Sequence, residues 1–398
     1  MPRFKQPNLT AGMPISPFIR AAAVSLSLIL AAITFHGAVA DTTAPVDIHS
    51  AEVVLADNTA ASRLDAFKQA LAKVLVKLSG SRGVVAEPAG EAILNSAQRY
   101  VQAYNRRKAV LDDATDADSA TVLHVEFDGA ALERALLDAG LPVWSGTRPS
   151  VLAWLAVEDR NRRYILAENS DSPLIQALQH AAEERGITVI LPLMDQVDRR
   201  QVEFIDIRGG FTDRLRQAAE RYNTSTLLIG ALRNNGNDNW QAKWSLVQDG
   251  ERSDWTDSGL ALEPLMQSGI DGLADWLASR YAFVVAPGGG PSEAILSVDQ
   301  VTDLRRYAEV LAALKKPVFV EGVTPIEVNG AEVRYRLRMR GTLQELQRAL
   351  TSGGLLQERT MATPTSPVDL SRSAGGTPDS TGQKARRDGV DLYFTLRS

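Results

Sequence analysis

Three largely apolar runs, 151–157 without a polar residue, 187–191 broken only by Thr188, and 226–232 opened by Thr226, constrain this chain more than any other feature of it. A strand turns alternate side chains to opposite faces, so a run that is apolar at every position has both faces buried. That requires a sheet covered by helices on both sides, and the intervening stretches supply them. Ser172 and Pro173 sit where an N-cap and a first-turn proline belong, and Gly186 sits where a helix ends. Thr212 is expected to cap a helix running to about Tyr222, and Glu263-Pro264 to open a last one through Ala278. Residues 240–248 and 253–256 read as antiparallel strands. Residues 147–286 are therefore expected to form an α/β domain with a mixed sheet.

The flanking stretches have a different grammar. In 41–146 a strand is expected at 48–55. A helix follows, carrying Leu64, Phe67, Leu71, Val74, Leu75 and Leu78 at three- and four-residue spacing and ending at Gly80. A second helical stripe is read through Ile93, Ala97, Tyr100 and Tyr104. Strands at 108–111 and 121–127 are joined by the acidic loop 112–120, and Asp128 caps a short helix. This is a small α+β domain. The run Pro287-Gly288-Gly289-Gly290-Pro291 has no helix directly after it and no Gly-Lys-Ser/Thr, so 287–292 reads as a linker and not a phosphate loop. Beyond it, strand, helix, a hairpin around Asn329-Gly330 and another helix give the order β-α-β-β-α. This opens a ferredoxin-like domain over 293–398, closed by a strand at 355–356 or 390–396. Residues 360–389, rich in Thr, Ser, Pro and Gly, are expected to be disordered. The fold class expected is multi-domain α+β / α/β.

The first 40 residues read as an export signal. Arg3, Lys5 and Arg20 precede or open an apolar run over 21–35, and Ala38-Val39-Ala40 offers the small residues of a cleavage site after Ala40. The apolar run is short for a spanning helix, which needs about 20 residues. The expected destination is the periplasm of a Gram-negative cell. The chain carries a net charge of −5, and −8 without its first 40 residues, which contain no acid. Such a balance argues against nucleic acid as a partner. The absence of cysteine excludes disulfides, thiolate metal sites and thiol catalysis.

The run Arg63-Leu64-Asp65-Ala66-Phe67-Lys68-Gln69-Ala70-Leu71, the following Val74-Leu75-Val76-Lys77-Leu78-Ser79-Gly80 and the strand 151–158 carry a resemblance. Arg148-Pro149, Leu191-Pro192-Leu193-Met194-Asp195, Trp240 and Trp244 add to it. On these residues the chain resembles an exported Gram-negative family filed as domain of unknown function 2066. The resemblance implies an envelope compartment and no mechanism.

Chemistry-bearing residues are sparse. His49, His124 and His180 lie in separate elements with no second histidine three or four residues away, so no metal and no cofactor is expected. Asp113, Asp116 and Asp118 lack the glycine and terminal glutamate of a calcium loop. No nucleophile elbow or zinc-protease helix occurs. The enzymatic candidates are positional. Glu158 and Asp159 end one buried strand and Asp195 follows another, and open α/β sheets bind ligands beyond the carboxyl ends of their strands. Arg208-Gly209-Gly210, ahead of the helix that Thr212 is expected to cap, reads either as an anion site at a helix N-terminus or as an ordinary glycine turn. Trp240 and Trp244 share one strand face; exposed, they would stack on sugars or anchor a partner, and buried they are core. Arg334, Arg336, Arg338 and Arg340 alternate with Tyr335, Leu337 and Met339, which puts four guanidinium groups on one sheet face. That face either binds an anionic envelope component or is solvated and partnered by acids such as Glu321 and Glu327.

These readings point to a non-enzymatic binding or adaptor protein of the cell envelope. Its partner would be an envelope protein, peptidoglycan or another anionic component. The alternatives are a periplasmic hydrolase or transferase using Glu158, Asp159 and Asp195, and a small-ligand sensor.

Overall fold

The structure, a computed structural model, describes residues 46–110, 119–144, 148–160, 162–285, 291–352, 354–359 and 389–397. The expected signal, most of the acidic loop, the glycines of the linker and nearly all of 360–389 lie outside them. Helices combine with three antiparallel or mixed sheets, an α+β architecture. No helix among the described residues is long and apolar enough to cross a membrane.

The first sheet contains β1 (Ser50–Leu55), β2 (Val101–Val110) and β3 (Ser119–Phe127), antiparallel in the order β1-β3-β2. Helix α1 (Ala60–Ser79) packs on it. The Thr59 hydroxyl accepts the Ser62 amide at 3.1 Å and starts α1. Gly80 ends it at φ 72°, a left-handed turn that glycine takes without strain. Phe67, Leu71, Val74, Leu75 and Leu78 are buried as their spacing requires, whereas Leu64 is 43% exposed at the open first turn. The second helical stripe breaks: α2 (Pro88–Asn95) is short, and Val101 begins β2 by pairing with Phe127. Tyr104 is thus a strand residue, because the ladder to β3 outweighs a local helical period. Helix α3 (Gly129–Asp138) starts at Asp128, whose carboxylate accepts the Ala131 amide at 3.0 Å.

The second sheet holds β4 (Val151–Asp159), β5 (Arg162–Ile165), β6 (Val189–Ile190), β7 (Thr226–Asn234), β8 (Trp240–Gln248) and β9 (Glu251–Leu260), interleaved with α4 (Pro173–Arg185), α5 (Gln196–Gln201), α6 (Phe204–Gly209), α7 (Thr212–Ala219) and α8 (Leu262–Tyr281). Its order is β5-β4-β7-β8-β9, with β6 beside the start of β4. The β4–β7 pair is parallel, and β5, β8 and β9 extend it antiparallel. The odd residues of β4 (Val151, Ala153, Leu155, Val157) face α4 and α8. The even ones (Leu152, Trp154, Ala156) face α5–α7. The all-apolar run is thereby explained. The expected strand at 187–191 shrinks to two residues of β6, since only Val189 and Ile190 find partners on β4.

The third sheet contains β10 (Ser292–Asp299), β11 (Val320–Asn329), β12 (Glu332–Met339), β13 (Leu356–Glu358) and β14 (Leu392–Leu396), with α9 (Leu304–Lys315) and α10 (Leu343–Ser352). Its order, β11-β12-β10-β14-β13, departs from the expected four-stranded ferredoxin-like closure. Both candidate closing strands are used. β14 pairs parallel with β10 and displaces β13 to the edge. A central place beside β10 favours β14, whose Leu392, Phe394 and Leu396 are all buried.

Packing crosses the linear order of the segments. Val143 and Phe283 form an antiparallel bridge where the chain enters and leaves the second sheet's unit, with N–H···O distances of 2.9 and 3.1 Å. The buried apolar residues of the first and third segments form one cluster, and Phe283 meets Phe319 edge-on at 4.6 Å. Residues around 144–282 are thus inserted between two parts that share a core.

Candidate functional site: a cationic cleft at the strand ends

Helices α5–α7 cover β4, β7 and the end of β8 around Val247 on one face of the second sheet. Ser245 and Val247 are still buried on the same face of β8, but Gln241 and Lys243 before them and Thr256 and Ser258 of β9 are exposed. A cleft of ≈ 390 Å³ runs where the helical layer stops; Phe204 and Arg208 of α6 form its wall and the four exposed side chains its floor. Glu158 stands at its head as the next even residue of β4 after Ala156. A second recess of ≈ 650 Å³ continues from it, lined by Glu158, Arg160, Arg163, Arg233, Asn234 and Asn235.

Strand register builds the charge pattern. Glu158 lies opposite Arg163 on β5 and opposite Arg233 on β7. Arg163 Nε is 2.8 Å and Arg208 Nη1 3.5 Å from Glu158 Oε1. The Glu158 side chain is 15% exposed, and its Oε1, although ion-paired, is buried and accepts no aligned hydrogen bond. Among the described residues, Arg160, Arg233 and Lys243 form no ion pair. The two recesses therefore gather Arg160, Arg163, Arg208, Arg233 and Lys243 around one carboxylate. Arg160 is held at φ 53°, a left-handed conformation costing a side-chain-bearing residue on the order of 1 kcal/mol.

The expected carboxylate set is not assembled. Asp159 accepts the Asn234 side-chain amide at 3.0 Å, which braces the β7–β8 turn. Asp195 lines neither recess. It caps α5, accepting the Val197 and Asp198 amides at 2.9 and 3.1 Å, and is clasped by Arg221 at 2.7 and 2.8 Å. The Arg221 guanidinium, with the Asp198 amide, holds its carboxyl well below the usual range. An acid–base pair of Glu158 with Asp195 is corrected on this ground: the strand end that carries Asp195 turns into a helix cap. The Arg208-Gly209-Gly210 turn also differs from expectation. Arg208 reaches back to Glu158, and α7 starts from Phe211 with no side-chain cap.

Trp240 and Trp244 are 6% and 0% exposed, so they are core and not a stacking platform. Their face of β8 is the one under α8.

The arginine stripe forms as period two requires, with Val333, Tyr335, Leu337 and Met339 buried beneath it. Each guanidinium has an acid: Arg334 meets Glu327 at 2.9 Å, Arg336 meets Glu293 at 4.0 Å, Arg338 meets Glu321 at 3.5 Å, and Arg340 meets Glu321 at 2.7 Å and Asp138 at 2.5 Å. A matched, solvated face of this kind contributes little to stability. Replacing Arg336 and Arg338 together with Gln should shift stability by less than about 1 kcal/mol in urea titration. It should also leave any salt-dependent binding to anionic vesicles at the parent level. Loss of that binding would return the stripe to the list of interaction sites.

The sequence places Arg160, Arg162 and Arg163 close after Glu158, and of these Arg160 and Arg163 line the recess; it does not bring Arg208 to Glu158. Arg233 was accessible to the strand-end argument that located Glu158, as the polar residue ending the apolar run 226–232. The floor from β8 and β9 carried no such signal.

Residues 44–145 match a domain of unknown function (DUF8605). This corrects the resemblance to domain of unknown function 2066. The residues behind that resemblance, such as Phe67, Leu71, Leu75 and 151–157, are buried core positions, a pattern that any helix packed on a sheet imposes. The matched stretch ends where the chain enters the second sheet's unit. No curated protein sequence matches the chain.

Proposed function

We propose that this is an exported, non-enzymatic binding protein of the cell envelope, and that the strand-end cleft holds an anionic envelope component. The observation that carries the reading is the surplus of guanidinium and ammonium groups around Glu158, three of them without an acid among the described residues. Clefts lined by one sign of charge concentrate ligands of the other. The site lies where open α/β sheets bind ligands. Binding is favoured over hydrolysis because Glu158 is engaged by two arginines and Asp195 by its cap. The signal-like first 40 residues supply the compartment.

Recovering the protein from periplasmic extract and sequencing its N-terminus should return Asp41. Incubated with purified peptidoglycan sacculi, that protein should co-sediment at low salt and be released as ionic strength rises. Failure to sediment at any salt, or an intact N-terminus in the inner-membrane fraction, contradicts this assignment.

A further inference from the structure

We infer that the cleft recognises an acidic saccharide, with the sugar's carboxylate at the arginine end and its ring hydroxyls over Glu158 and the polar floor; this rests on the binding role proposed above. The two recesses share Glu158 and Arg233, so one ligand can occupy both. Their volumes fall in the range of small-molecule sites, roughly 300–1,000 Å³. The far recess offers the planar forks of Arg160, Arg163 and Arg233, which match a carboxylate two bonds at a time.

The near recess also carries Arg208, Arg233 and Lys243, and adds neutral groups to them. Gln241, Thr256 and Ser258 are neutral donors and acceptors, and Phe204 adds a flat apolar wall. That combination suits a hydroxylated ring. Glu158 Oε1 is buried against Arg163 and Arg208, and the exposed remainder of this side chain, 15% of it, offers a ligand an acceptor and no donor. A sulfate brings only acceptors and a hydrogen phosphate adds further negative charge, so both are repelled by it. An ammonium is repelled by Arg163 and Arg208, whose nitrogens stand 2.8 and 3.5 Å from the same oxygen. A neutral hydroxyl satisfies it without either conflict.

The test is calorimetric titration of the full exported chain with three probes: N-acetylmuramic acid, N-acetylglucosamine, which is the same sugar without the lactyl carboxylate, and inorganic phosphate. The sugar acid should bind at least tenfold more tightly than the neutral sugar and than phosphate. Arg233→Gln, an exposed change that should leave the melting curve in place, should reduce the sugar acid to the level of the neutral sugar. Equal binding of the two sugars, phosphate binding as tight as the sugar acid, or no binding of any probe overturns the inference. Sacculi that sediment while no sugar binds leave the envelope role standing and remove this one. A sugar acid that binds while sacculi do not sediment does the reverse.

Discussion

Asp271→Ala should destabilise the protein by up to about 3–5 kcal/mol, because it takes the buried carboxylate from a buried guanidinium and leaves only the half-exposed Asp275 to balance it. Arg185, at the end of α4, is 1% exposed. Its Nη1 donates to Asp271 Oδ1 at 2.5 Å, and its Nη2 to Asp275 Oδ1 at 2.6 Å and to the Gly80 carbonyl at 2.8 Å. Asp271 also accepts Arg82 Nη1 at 2.5 Å and Gln267 Nε2 at 3.2 Å. This network ties the C-cap of α1 to α4 and α8, and so fastens the inserted unit to the first segment. Beside it, Arg148 donates to the Lys77 carbonyl and stands 4.0 Å over the Trp144 ring. The measurement is the urea midpoint of the single variant against Arg185→Met/Asp271→Leu. Removing both charges should recover most of the loss, since the cost lies in a buried ion that Asp275 alone compensates incompletely. A single variant within 1 kcal/mol of the parent would show that water reaches Arg185.

Trp244→Ala should cost about 3–5 kcal/mol, the range for emptying a large core aromatic site. The ring is fully buried, and its Nε1 donates to Asp257 at 3.0 Å. Two glycines make room for it: a Cβ at Gly230 would lie 2.7 Å from the ring and one at Gly269 2.5 Å. Gly269→Ala should therefore destabilise as well, by about 1–3 kcal/mol through overpacking. Thermal or urea unfolding reads both. An unchanged Trp244→Ala stability accompanied by lost ligand binding would instead make this tryptophan a contact residue.

The apolar runs in the sequence required a two-sided helical cover, and β4 and β7 have it. They did not reveal that 187–191 contributes only two paired residues, because pairing depends on how far the neighbouring strand extends. The alternation of Arg334 to Arg340 placed these side chains off the core. Their partners are Glu293, Glu321, Glu327 and Asp138, of which Asp138 comes from α3, far away in the chain. Glu158 was legible as a polar strand end. Its carboxylate became a binding candidate through Arg163, Arg208 and Arg233, which register and packing bring to it from β5, α6 and β7.

Asp195 shows the opposite outcome. The same strand-end argument applied to it, yet two amides and Arg221 take up its oxygens. Periodicity, caps and glycine stops are local and act through near neighbours, so they can be read along the chain: α1, α3, α4 and the β11–β12 hairpin follow from them. Which strand lies beside β10, which carboxylate stays open and how residues 144–282 sit between two halves of one core depend on contacts between distant residues. Those contacts are settled by burial and pairing across the fold, where loop closure costs little more for long connections than for short ones.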